Sequence, residues 1–253
     1  MNTMMAAIDV EARKARSARV LWVTGGLLVL GVAALAGVSV VAARSGDADI
    51  VAKLGPVAAM GGWPALIGVA AQVTAAAALL AFGVGISWLT GREFADRTVS
   101  GLFGLPVGRG TVTAAKLTVY GIWATAVSVA ITLVLPIVGV ALGIGWPSGD
   151  DLVGLGRQFA LGLLTALIAV PAGWAASLGR GLLPGIATAV GIMAVAQIAA
   201  IAKVGAWVPF VAPAFWALQP SASSAAALSA VPLVPLAFGS ALILIWRRLQ
   251  LDR

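Results

Sequence analysis

Two residue types that carry much of side-chain chemistry are missing from this chain, which has no cysteine and no histidine. Thiol nucleophiles, disulfides, imidazole ligation of metal or haem, and Ser-His catalysis are thereby removed. The same absence argues against the handling of soft metals. A phosphate-binding P-loop needs Gly-Lys followed by Ser or Thr, so that backbone amides and the lysine hold phosphate. Lys14, Lys53, Lys116 and Lys203 each follow Arg or Ala, so no P-loop is present. If ATP drives this protein, another chain must bind it. Gly149-Asp150 lacks the second membrane Asp that paired-carboxylate proteolysis requires, and Ser87 has no His partner. No catalytic residue, bound cofactor or metal site is predicted on this chain.

The densest cluster of usable charge is Thr90–Lys116, TGREFADRTVSGLFGLPVGRGTVTAAK, a polar interruption between long apolar runs. Thr90 followed three residues later by Glu93 has the form of a capping box, which predicts a helix starting here. From that start Phe94, Thr98, Leu102 and Leu105 recur at steps of four, four and three and define one face. Ala95 and Val99 widen it, while Arg92, Glu93, Asp96, Arg97 and Ser100 lie opposite. Glu93 and Arg97, four apart with the acid first, predict a pair worth roughly 0.2–0.5 kcal/mol. Pro106 lacks an N–H and restricts Leu105, so it ends the helix. Gly108-Arg109-Gly110 then turns the chain back. A short, capped, two-faced helix suits being gripped by a partner outside the membrane.

The elements that must position this segment are set by hydropathy. Of the 253 residues 61% are hydrophobic and 10% charged, against about 45–50% and about 25% in soluble domains, so the chain is an integral membrane protein. The predicted fold is all-α and polytopic. Its spans lie at about 20–43, 65–89, 117–144, 158–178, 183–202 and 225–246, forming one transmembrane domain over 20–253. Residues 1–19 precede it, with Met4, Met5, Ile8, Ala12 and Ala15 along one helical face. They read either as a basic amphipathic helix on the membrane surface or as a basic tail that sets topology. A secretory signal ending at Ala34-Leu35-Ala36 is a third reading, opposed by an apolar run longer than the usual ~7–15 residues. Arg44 to Gly62, with Asp47, Asp49, Lys53 and Pro56, is a polar loop. Trp146–Asp151 reads as a turn and Gly179-Arg180-Gly181 as a tight connector. Val204–Pro220, broken by Pro209, Pro213 and Pro220, is too short to cross and reads as a re-entrant or interfacial hairpin, or as a wet loop with aromatics.

Basic residues set the orientation. Arg13, Lys14, Arg16, Arg19, Arg92, Arg97, Arg109, Lys116, Arg180, Arg247, Arg248 and Arg253 fall on one side, and Arg44, Lys53, Arg157 and Lys203 on the other. The positive-inside rule places both termini and the 90–116 segment in the cytoplasm, so the net charge of +7 reports orientation, not nucleic-acid binding. No span centre carries an ionisable residue, which weakens an ion-coupled mechanism without excluding one. Gln72, Thr74, Thr125, Ser128, Thr132, Thr165, Thr188 and Gln197 are the neutral polar groups within spans, either packing contacts or path lining. Gly139-xxx-Gly143 and Gly181-xxx-Gly185 match the small-residue packing pattern, which a chain with 31 glycines also produces by chance.

Glu93-Phe94-xxx-Thr98-xxx-Leu102-xx-Leu105-Pro106-Val107-x-Arg109, followed by Lys116, resembles the permeases of the type-2 ATP-binding-cassette (ABC) exporter family. Glu11-xx-Lys14-x-Arg16-Ser17 is similar to the Glu-Trp-x-Lys-x-Arg-Ser run before the first span in actinobacterial members, with Ala12 in place of the aromatic. Arg97 stands where the family frequently has Gly. The resemblance implies that the segment between spans two and three is a coupling helix docking on a separate ATPase subunit, which would hold ATP and magnesium. Glu93, Phe94, Arg97, Thr98, Leu102, Leu105, Pro106, Arg109 and Lys116 would then form the coupling set. Glu11, Lys14 and Arg16 would form an N-terminal interface. It further implies a permease in the cytoplasmic membrane, paired with an identical or homologous copy. An apolar and neutral path suits an amphipathic or lipid-like cargo such as a drug, peptide or glycolipid. The rival readings are a channel or secondary transporter, and a scaffold or immunity protein that moves nothing.

Overall fold

The computed structural model describes residues 3–44, 57, 60–104, 106–202 and 207–250. Asp47, Asp49, Lys53, Pro56, Leu105, Lys203, Val204 and Arg253, used above, lie outside the described residues. Among the described residues every regular element is helical. An N-terminal helix α1 (Thr3–Ser17) is followed by α2 (Arg19–Arg44), α3 (Gly62–Ala95), α4 (Arg109–Ala141), α5 (Gly149–Ile168) and α6 (Val170–Leu178). Then come α7 (Leu182–Ile201), α8 (Ala212–Leu218), α9 (Ala222–Ala227) and α10 (Leu233–Arg247). Six stretches are long and apolar enough to cross a bilayer, with α5–α6 and α9–α10 each making one broken span.

The breaks follow from proline. Pro171 has no N–H to give, so the ladder of span four resets at Ala169, whose N–H is shared between Thr165 and Ala166. Pro232 and Pro235 fall where α9, a short 3₁₀ stretch Leu228–Ala230 and α10 join. The predicted turn at 146–151 is partly helix: Ser148 caps α5 in a reciprocal box with Asp151.

Span two is the axis of the molecule. α3 packs against α2, α4, α5, α6, α7 and α8. Its apolar window is 56% buried and that of span four 61%, against 17% for span five and 22% for the last span. With 34 residues, α3 is about 51 Å long at ~1.5 Å per residue, well beyond a hydrocarbon core of ~30 Å. α4, with 33 residues, is nearly as long. Both outrun their apolar stretches at the 90–116 end.

That length corrects the expectation of a separate helix over 90–105. Thr90 does not cap. It lies inside α3, and its hydroxyl donates to Ile86 O at 2.8 Å and Gly173 O at 3.1 Å, a bond to the neighbouring span. Nothing breaks the helix until residue 96, because Gly91 is held at close range: a Cβ there would lie 2.8 Å from Gly181 O. α3 ends at Ala95, before Pro106 can act, and the chain makes a short 3₁₀ helix, Val99–Gly104. Gly108 is the cap of α4, and Arg109 and Gly110 are its first turn. The true connector between spans two and three is only residues 96–108.

Candidate functional site

The end of α3 closes as a Schellman motif. Thr98 N–H donates to Glu93 O at 2.9 Å and Arg97 N–H to Phe94 O at 3.2 Å. Arg97 occupies the left-handed position at φ 56°, a conformation that favours glycine. This geometry prevents the expected Glu93–Arg97 pair. Arg92 pairs with Asp96 instead, at 3.0 Å, on the exposed side. Thr98, placed on the apolar face by spacing, is exposed, because the helix has already ended.

Glu93 faces inward. Its Oε1 accepts from Lys116 Nζ and, at 3.4 Å, from Lys14 Nζ. Lys116 also donates to Glu11 Oε2 at 2.9 Å, and Lys14 to Glu11 Oε1 at 2.6 Å. Two carboxylates and two ammonium groups thus close a neutral network between α1, α3 and α4. Glu11 and Lys116 are each 2% exposed and Glu93 5%. Glu93 Oε2 is buried without a hydrogen-bond partner among the described residues. Burial of the Lys14 stem opposes its charge, yet the Glu11 and Glu93 carboxylates outweigh that and raise its pKa above the ordinary lysine value. α1 is a helix whose inner face centres on Ala7 and Glu11; Ile8, Ala12 and Ala15 of the predicted face pack against the core, while Met5 is exposed. The helix packs against α4.

The apolar side of the same end is organised by Trp246, which is fully buried. Its indole N–H donates to Ser177 Oγ at 2.9 Å. Phe94 meets its ring edge to face, at 5.6 Å between centroids. Lys116 Nζ lies 5.6 Å from the ring centre. Leu102 completes this cluster with Leu242, and Val99 packs on it. Phe94 and Leu102 therefore face back onto the last span, not outward. Arg109 stacks on Phe103 at 4.3 Å and donates to the carbonyls of Leu249 and Arg247, tying the start of α4 to the end of α10. Arg16 joins none of this with its side chain; its carbonyl accepts from Trp22 Nε1 at 2.7 Å.

Of the residues singled out by sequence, the structure brings Glu11, Lys14, Glu93 and Lys116 into one network, and Phe94, Leu102 and Arg109 against the last span. Arg97, Thr98 and Pro106 stay on the exposed rim. Trp246 and Ser177 were missed. A Trp beside Arg247-Arg248 at the end of a span reads as an interfacial anchor, and no local pattern distinguishes it from a buried hub.

Away from this end, Thr125, Ser128, Thr132 and Thr188 bond back to carbonyls one turn earlier in their own helices. Thr74 receives a 2.7 Å bond from Gln158 across spans two and four. Gln72, Thr165 and Gln197 line a cavity of about 320 Å³ closed by Phe210 and Phe215. No cluster of residues that could hold a metal ion occurs among the described residues.

No curated protein matches the chain. A family model described as ABC-2 family transporter protein matches residues 7–195, a stretch that takes in most of α1, the charge network, the first four spans and most of the fifth. Six apolar crossings and a match over most of its length agree: the chain is a multi-pass membrane protein of the ABC-2 transporter family and a permease component within it.

Proposed function

We propose that this chain is the membrane-spanning half of an ATP-powered exporter, and that residues 95–104 are the surface on which a separate ATPase subunit docks. One observation carries the reading. The exposed rim of Asp96, Arg97, Thr98, Ser100 and Phe103 is braced from behind by the Glu11–Lys14–Glu93–Lys116 network and by Trp246. A push on that rim meets rigid helices that are themselves spans two and three, with α1 and the last span attached. The ATPase would hold ATP and magnesium, since this chain has no P-loop. The positive-inside rule supports a cytoplasmic position for the rim.

The cargo would be amphipathic or lipid-like. The cavity edged by Gln72, Thr165, Gln197 and Gln219 among aromatic and aliphatic walls offers neutral hydrogen bonding without charge. A second copy would complete the conduit, for which the sparsely covered fifth and sixth spans leave room.

Affinity purification from native membranes in mild detergent tests the docking. The wild type should recover a P-loop ATPase, and Arg97→Glu with Phe103→Ala should lose most of it while the permease itself remains folded, because both side chains lie at the surface. Recovery of no nucleotide-binding subunit in any mild detergent would favour a channel, secondary transporter or scaffold.

A further inference from the structure

A second feature, unrelated to the rim, lies on the outer side of α1, α2 and α4. There the chain leaves a groove of about 560 Å³, floored by Gly25 and Gly26 and walled by Val29, Leu30, Ile122 and Ala126. Its exposed walls belong to two apolar spans, so it opens toward the bilayer. Gly26 keeps it deep, since a Cβ there would meet nothing within 4 Å. At the mouth stand Arg16 and Trp22. Trp22 is 69% exposed in the first turn of its span, the height at which indoles sit among headgroups. Its N–H is used by the Arg16 carbonyl, which fixes the α1–α2 corner. Of the neighbouring cations, Arg13 pairs with Asp9 and Lys14 with Glu11, while Arg19 does not line the groove. Among the described residues the Arg16 guanidinium has no carboxylate partner.

We propose that this groove binds one anionic phospholipid, with its phosphate on Arg16 and an acyl chain lying along Gly25 and Gly26. Charge complementarity selects the occupant. An uncompensated guanidinium beside a membrane-facing apolar trough matches a negative headgroup with a hydrocarbon tail, and basic pockets between spans at headgroup level take such lipids. Arg also suits phosphate by its planar fork of donors. The site needs only that α2 and α4 cross a bilayer, and stands or falls independently of ATPase docking.

The test uses the full chain in mild detergent, titrated with phosphatidylglycerol or phosphatidylcholine, with bound lipid counted by native mass spectrometry. The wild type should retain one phosphatidylglycerol in preference to phosphatidylcholine. Arg16→Gln should weaken that retention about fivefold, the worth of one basic residue at an anionic surface, and leave phosphatidylcholine unchanged. Arg16→Lys should keep most of the preference. Gly26→Leu, whose side chain enters open space, should displace either lipid from the groove. Equal retention of both lipids by the wild type would overturn the proposal, as would variants indistinguishable from it. So would loss of preference in Arg16→Lys equal to that in Arg16→Gln. If Gly26→Leu altered the number of chains per particle and left lipid retention intact, the groove would be an interface between copies and the proposal would be wrong.

Discussion

Arg97 shows how one residue can run against its backbone. A Schellman cap asks for a left-handed residue, and a side chain there meets the following carbonyl at a cost of roughly 1–2 kcal/mol. Glycine avoids the clash but gives the unfolded chain more freedom, which takes back part of the gain. Arg97→Gly should therefore stabilise the protein by about 0.5–1 kcal/mol, read as an upward shift of a few degrees in thermal denaturation in detergent. A fall in the melting temperature would mean that the arginine side chain makes a compensating contact at the rim. Arg180 has the same left-handed conformation, at φ 51°, in the connector that approaches Gly91. Both ends of this helical contact thus keep a cation where a glycine fits more easily.

Between elements, the governing fact is that α1, α3 and α4 meet through buried charge. Lys116 is shared by Glu11 and Glu93, so removing it leaves two buried carboxylates with Lys14 alone. Breaking a buried pair from one side costs about 3–5 kcal/mol, while removing both sides costs far less. Lys116→Met should loosen α1 strongly, and Lys116→Met with Glu93→Gln should recover a large part of the loss. The chain has no thiol of its own, so Ala7→Cys, on the buried face of α1, reports the undocking as faster maleimide labelling. Equal labelling with and without Lys116 would show that packing alone holds α1. Neutral pH does not open the latch through Lys14. Its pKa is raised, so its stabilisation is complete below the unfolded value of ~10.4 and is lost only as pH climbs through the higher folded value. The exposed Arg92–Asp96 pair adds little, ~0.3–0.5 kcal/mol. On a helix the acid-first Glu93–Arg97 pair is the better ordered of the two; the left-handed turn at Arg97 and the burial of Glu93 left only Arg92–Asp96.

For the molecule as a whole, span two is the post around which the others stand, and close backbone approach makes this possible. At Gly185 in α7 a Cβ would lie 2.2 Å from Ser87 Oγ of span two and 2.6 Å from Ala172 O of span four, so span five meets both at close range there. Gly185→Ala should force them apart and destabilise by about 1–3 kcal/mol. Gly191→Ala in the same helix, where a Cβ meets nothing within 4 Å, should be neutral or slightly stabilising by its higher helix propensity. Melting temperatures of the two variants check the contrast, and similar values would mean that the contact at Gly185 relaxes freely. Of the two glycine pairs matched by pattern, Gly185 and Gly139 do serve close contact, the latter beneath the Trp63 ring. Gly143 instead supplies a positive φ at the end of α4.

Sequence alone determined that the chain is helical and crosses the bilayer six times, because apolar runs of about 20 residues leave no other way to satisfy their backbone in lipid. It paired Glu93 with Arg97, and by resemblance it set Glu93 and Lys116 in a coupling segment and Glu11 and Lys14 in an N-terminal interface. Only the tertiary structure decided that Glu93, Lys116, Glu11 and Lys14 satisfy one another. They lie 23 to 105 residues apart along the chain for the Lys116 bonds, and no periodicity reaches across such separations. Thr90 and Glu93 had the spacing of a cap, but a buried hydroxyl bonds the carbonyls within its reach, and here those are Ile86, one turn back in its own helix, and Gly173 of another. The faces of the 93–102 stretch were likewise undecidable until Trp246 arrived from the far end of the chain to cover Phe94 and Leu102. Local pattern fixes which residues can share a helix face; which face is buried depends on what the rest of the fold packs against it.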